Sequence, residues 1–181
     1  MPPTRLIIPR LRLSDAPIVP MPIVNGAWDE YAIGTREVGL LQTTGRWPRD
    51  ALAMVLAGHV TLEGDQAGPF YGLGRLRAGD LVVLQTRDGR LWRYRVTRQY
   101  LLGANDVKAL YRPDGRLLML LTCTAWDEEA QAYTRRLVVE AMLESSGLPS
   151  GSPSRRSACG HRCSIGPKPA IASRRRIAAA Q

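Results

Sequence analysis

The chain has 181 residues, 45% of them apolar, which is enough for one domain with a buried core. Its formal charge of +9 would suggest a nucleic-acid binder, but residues 145–181 hold seven basic side chains and no acid, so only +2 remains for residues 1–144. A near-neutral body argues against a nucleic-acid partner, no apolar run approaches a membrane span, and the opening MPPTRLIIPR lacks the apolar core of a signal peptide.

Between residues 5 and 144, short apolar and often β-branched runs alternate with Gly, Pro and Asp, the pattern of a sheet protein. RLIIPRLRL and APIV open the set, with Pro9 expected at an edge or bulge because it cannot donate to a ladder. VGLL (38–41) and AMVLAGHV (53–60) follow. The Gly-rich stretch after His59 has room for one helical turn around Phe70 to Leu73. LVVLQT (81–86) then leads across a tight Asp88-Gly89 turn into RLWRYRVTRQYLL. In that last run Trp92, Tyr94 and Val96 alternate with Arg93 and Arg95, which reads as a half-buried strand with a solvated face rather than a nucleic-acid platform. DVKALY (106–111) offers a second helical turn before LLMLLTC (117–123) and RRLVVEAML (135–143). The expectation is an all-β fold, a closed eight-stranded barrel with one or two short helices, over residues 1–144.

Residues 145–181 are rich in Ser, Gly, Pro, Arg and Ala, contain no aromatic residue and show no period. They are expected to be a disordered, basic tail without function, and their abrupt composition suggests translation out of frame. Their CGHRC cluster (Cys159, His161, Cys163) supplies three close ligand types without a fourth, too little to predict a metal.

Setting the tail aside leaves one cysteine, Cys123, and one histidine, His59. Each ends an apolar run, LLMLLTC and MVLAGH, so parallel neighbouring strands would bring both side chains out at the same end. Arg135 and Arg136 enter the following strand after a loop of about a dozen residues, and an antiparallel neighbour would bring them to the same rim. Taken singly, each residue has a plainer reading: a packing cysteine, a loop histidine, a solvated pair of arginines. Together they supply a thiol nucleophile, a proton carrier and a donor for an oxyanion.

VLAGHV (55–60), LLTC (120–123) and RRLVV (135–139), in that order and spacing, resemble the histidine, cysteine and arginine motifs of sortases, the cysteine transpeptidases of bacterial cell surfaces. IPRLRL with API resembles the family's opening strand, and GPFYGLGRLRAGD its segment after the histidine, so the resemblance spans about residues 4–143. The chain departs from the family at Met119, where a Thr is usual, and at Leu52 and Ala53, which replace a common Gly-Asn pair.

The resemblance implies Cys123 as nucleophile, His59 as acid and base, and Arg136 as oxyanion donor. Arg135 is the alternative, because adjacent strand residues face opposite ways. It further implies Val60, Thr122, Trp126 and Arg135 as substrate-binding residues, with Thr122 helping to hold a carbonyl and Trp126 as a candidate wall. The groove would lie between the strands ending at His59 and Cys123 and the loops after Tyr100 and Cys123. A member of the class D, E or F type is expected, cleaving a signal that resembles Leu-Pro-x-Thr-Gly through a thioacyl enzyme. An amine then resolves that intermediate, either a cell-wall precursor or a pilin-type lysine. Neither cofactor nor metal is expected, although some sortases require calcium, since no acidic cluster is seen. The family also implies the outer face of the cell membrane and a membrane anchor, which this chain does not encode. Two alternatives stand beside this reading: a thiol peptidase using water as acceptor, and a non-catalytic barrel that binds a peptide.

Overall fold

The structure, a computed structural model, describes residues 1–62, 64 and 66–144. The expectations for residues 145–181, the CGHRC cluster included, lie outside the described residues. The strands are β1 (Pro3–Ile8), β2 (Leu13–Met21), β3 (Ile23–Val24), β4 (Ala27–Trp28), β5 (Val38–Leu41), β6 (Met54–Ala57), β7 (Leu81–Thr86), β8 (Leu91–Gly103), β9 (Leu117–Asp127) and β10 (Ala132–Leu143). Eight of them close a barrel in the order β1-β2-β5-β6-β9-β10-β8-β7, as expected, while β3 and β4 form a separate two-stranded ribbon.

The sequence of β9 explains its central place. Leu118 and Leu120 point into the barrel with Leu6, Leu56, Tyr94 and Val139. Leu117, Met119 and Leu121 point outward into a second apolar cluster with Val55, Leu110 and Val138. A strand buried on both faces has to read as an unbroken apolar run. Each buried leucine contributes roughly 1.5–3 kcal/mol relative to exposure. The strand β6 runs parallel to β9, from Met54 opposite Leu118 to Ala57 opposite Leu121, and β10 pairs antiparallel with both β9 and β8.

Strand β8 changes face part-way. Its register against β10 shifts between Glu140 opposite Arg98 and Ala141 opposite Val96, which leaves Thr97 as the extra residue of a bulge. Trp92, Tyr94 and Val96 therefore pack with the barrel interior, whereas Tyr100 and Leu102, of the same parity, pack with the outer cluster. Just past the bulge, Glu140 is buried on the outer face. Arg98 Nε and Nη2 donate to its two oxygens at 2.7 and 3.0 Å, Tyr100 donates at 2.9 Å, and Arg112 lies 3.7 Å away. Burial pushes the Glu140 carboxyl up, but these hydrogen bonds and positive charges outweigh it and hold the group below its ordinary value.

Two local expectations need correction. Pro9 opens a 3₁₀ turn, Pro9–Leu11, instead of sitting in a strand, because its fixed φ suits a first helical position and Arg12 at φ 56° ends the turn. The turn expected at Phe70 to Leu73 is displaced to Leu73–Arg75, since Gly72 at φ 79° precedes it. The described residues hold no α-helix; among their 3₁₀ turns Val107–Leu110 is the one expected at DVKALY, and Glu30–Ala32 was not expected.

Candidate functional site

The ladder between β6 and β9 stops at Ala57 and Leu121, apart from one further bond from Gly58 N to Leu121 O at 3.1 Å. On its other flank β9 stays paired with β10 as far as Asp127 opposite Ala132. Cys123 is therefore not the end of its strand, as the sequence suggested, but a residue within it where one flank has opened. The polar TAWD reads as a loop, yet it is held as strand by a tight hairpin in which Asp127 Oδ1 accepts from Glu129 N and Ala130 N at 3.0 and 2.9 Å. The long loop expected before Arg135 is this hairpin.

Parity then sets the site. Cys123 shares the outer face with Met119 and Leu121, and its cross-strand partner on β10 is Arg136. Arg135 pairs with Thr124 and is exposed. His59 follows Ala57 by two residues, as Cys123 follows Leu121, so the parallel register brings the two level. His59, Cys123 and Arg136 line one cavity of about 450 Å³. The arrangement is an extension of the outer-face column, outside the barrel interior.

The chain around His59 is fixed by close approach. Its carbonyl accepts Phe70 N at 3.0 Å, and a Cβ at Gly68 would stand 2.3 Å from that same oxygen, so only glycine fits there. Thr122, buried and also lining the cavity, donates its hydroxyl to Gly58 O at 2.7 Å. That bond ties β9 to the chain just before His59 and commits the hydroxyl proton, so Thr122 is a strut across the seam rather than a free donor.

Burial pushes the Cys123 thiol up, the Arg136 charge opposes that rise, and the Glu30 charge adds to it. The thiol consequently has a small thiolate fraction at neutral pH. Arg136 Nη1 donates to Tyr133 O at 3.1 Å and to Arg135 O at 3.2 Å, which orients the guanidinium and leaves Nε and Nη2 for a ligand. Among the described residues no carboxylate is within ion-pair distance of it.

The opposite wall comes from two segments, residues 102–111, in the loop expected after Tyr100, and residues 21–33, which the sequence did not point to. Asn25 and Gly26, at φ 51° and 82°, turn the β3–β4 ribbon, and an Asn-Gly pair between apolar residues is the signal that marks it. Trp28 then stacks on Tyr111 with ring centroids 6.4 Å apart and donates from Nε1 to Gln42 O at 3.3 Å. Asp29 caps the turn that carries Glu30, accepting Tyr31 N at 3.1 Å, and Ile33 is buried against Gly39, where a Cβ would come within 2.9 Å of its Cγ2.

Three expected binding residues stand outside the cavity. Val60 follows His59 directly at a bend in the chain and does not line the cavity. Arg135 is on the opposite face of β10 from Cys123. Trp126 lies beyond Ala125 at φ 56° and packs edge-on against Tyr133, 5.0 Å between centroids. The loop after Cys123 therefore forms no wall, whereas the connection after β8 does. The described residues contain no His, Cys, Asp and Glu group able to hold a metal ion, and no helix long and apolar enough to cross a membrane.

The sortase domain family matches residues 6–144. Among solved structures, sortase C-1 of Actinomyces oris is 26% identical with a TM-score of 0.61, over 78% of this chain and 73% of that one. Sortase C of Clostridium perfringens (20%, TM-score 0.59, 80% and 71%) and sortase C of Streptococcus pneumoniae (20%, TM-score 0.61, 80% and 69%) share the fold. These neighbours are class C enzymes, so the expected class D, E or F type finds no support in them. No curated protein matches the chain. With the closed barrel and a match that covers most of its length, the chain belongs to the sortase family.

Proposed function

We propose that this protein is a cysteine transpeptidase in which Cys123 attacks the peptide carbonyl of a sorting signal resembling Leu-Pro-x-Thr-Gly. The observation that carries the proposal is that Cys123 and Arg136 are cross-strand partners and line one cavity with His59, the guanidinium having no carboxylate partner among the described residues. Attack forms a carbon–sulfur bond and moves the carbonyl electrons onto oxygen, where Arg136 donates hydrogen bonds. His59 takes the proton from the thiol and delivers it to the departing amine as the carbon–nitrogen bond breaks, and collapse of the intermediate leaves an acyl group on sulfur. An incoming amine then takes the acyl group and frees the thiol.

Family membership supports a role at the cell surface, with a surface-protein signal as acyl donor. The Streptococcus pneumoniae neighbour is described in terms of pilin substrate specificity, which makes a pilin-type lysine one candidate acceptor beside a cell-wall amine. Incubation with a pool of Leu-Pro-x-Thr-Gly peptides varied at x, followed by mass spectrometry of the intact protein, should show an acyl adduct on Cys123. Amine should discharge the adduct into a ligated product, and Cys123→Ala should form none. Cleavage by the folded Cys123→Ala protein would reject the assignment.

A further inference from the structure

Glu30 lines the same cavity as Cys123 and Arg136 and is held there by the Asp29-capped turn on one side and buried Ile33 on the other. Among the described residues nothing bonds to its carboxylate or forms an ion pair with it. Its position is adverse to the first half of the proposed reaction, because a carboxylate beside the thiol disfavours the thiolate. The adverse effect vanishes once sulfur carries an acyl group and no charge. From that moment the carboxylate acts only on what comes next, and in the proposed reaction that is a cationic amine. Asp106 contributes a second carboxylate to the loop-built wall of the cavity.

We propose that Glu30 receives the acceptor: its carboxylate draws a protonated primary amine into the mouth of the Cys123 cavity and sets the ratio of aminolysis to hydrolysis. This rests on the transpeptidase reading above. In the step it serves, the acceptor nitrogen bonds to the acyl carbon as the carbon–sulfur bond breaks and its electron pair returns to Sγ. Of the two protons that the ammonium loses, one ends on sulfur and the other passes to water.

The experiment measures ligated and hydrolysed product from the same peptide pool with two nucleophiles, Nα-acetyl-lysine amide, which is cationic at neutral pH, and hydroxylamine, which is uncharged. Glu30→Gln should lower the ligation-to-hydrolysis ratio about threefold to fivefold for the lysine derivative, the usual size of an exposed charge contact. The hydroxylamine ratio should stay the same, and acylation of Cys123 should be faster. Added salt should lower the lysine ratio of the unmutated protein but not of Glu30→Gln. Equal losses with both nucleophiles, an unchanged lysine ratio, or slower acylation would overturn the inference while the Cys123 adduct stands. Absence of any adduct in the unmutated protein would overturn the transpeptidase reading and this inference with it.

Discussion

The cavity has two walls built in different ways. The wall that carries Cys123 and Arg136 is made of paired strands, so both side chains are placed by a ladder of backbone hydrogen bonds, and His59 stands two residues past the end of the neighbouring strand, where its carbonyl is held by Phe70 N. The facing wall is made of two loops held by side chains, directly by Trp28 on Tyr111 and through the turn after β5, where Thr43 is 2.9 Å from the Tyr111 hydroxyl and Gln42 accepts from Ile23 N at 2.8 Å. Chemistry that depends on positions fixed to a fraction of an ångström belongs on the first kind of wall. Selection among substrates belongs on the second, where residues change without disturbing the core.

That division is testable by substitutions on each wall. The largest effect is expected on the strand-built side. Arg136→Ala should slow single-turnover acylation of Cys123 by on the order of a hundredfold or more, with much less effect on peptide binding. Arg136→Lys should recover part of the loss, because it keeps the charge but not the planar fork, and Arg135→Ala should be mild. A crippled Arg135→Ala with normal Arg136→Ala would contradict the register on which the whole wall is argued.

Next comes the support under His59. Gly68→Ala would force a Cβ against the His59 carbonyl, and should cost about 1–3 kcal/mol in denaturant unfolding as an overpacking change, together with most of the activity. Thr122→Val removes the hydroxyl that serves the Gly58 carbonyl and should cost about 1–3 kcal/mol if that oxygen stays dry. A stability equal to the unmutated protein would mean that the strut is dispensable.

On the loop-built wall, Trp28→Ala should raise the KM for the peptide about threefold to tenfold, an estimate from loss of one aromatic contact, while kcat moves less. A large fall in kcat with unchanged KM would erase the distinction between the walls. The smallest effect is a shift in a pH profile. Burial raises the Cys123 thiol, so alkylation by iodoacetamide should reach half its limiting rate at a higher pH than for a free cysteine. Arg136→Ala removes a charge that lowers the thiol and should move the midpoint further up, whereas Glu30→Gln removes a charge that raises it and should move the midpoint down.

Much of the strand-built wall was legible in the sequence because its residues inherit their placement from apolar neighbours. LLMLLTC, MVLAGH and RRLVV each mark a strand and its parity, so convergence at one rim follows once β6, β9 and β10 are neighbours in that order. The exact reach of β9 was not legible. TAWD has loop-like composition, and only the pairing with Ala132 to Arg135 across the hairpin keeps it extended. The loop-built wall depends on contacts between segments far apart in the chain, such as Trp28 with Tyr111, and no local pattern encodes such a pair. Asn25-Gly26 is a local signal for the turn of the ribbon that went unread, and it carries nothing about what the ribbon leans against. The β8 bulge was not legible either, since Trp92, Tyr94 and Val96 before it and Tyr100 and Leu102 after it share one parity, interrupted by Arg98 alone, while the face they serve changes.

That bulge gives the chain an economy of inheritance. Substitutions before Thr97 on β8 alter the barrel's stability, whereas those from Tyr100 onward alter the surroundings of the cavity, so one continuous strand can accumulate changes for endurance and for selectivity along separate lines of descent.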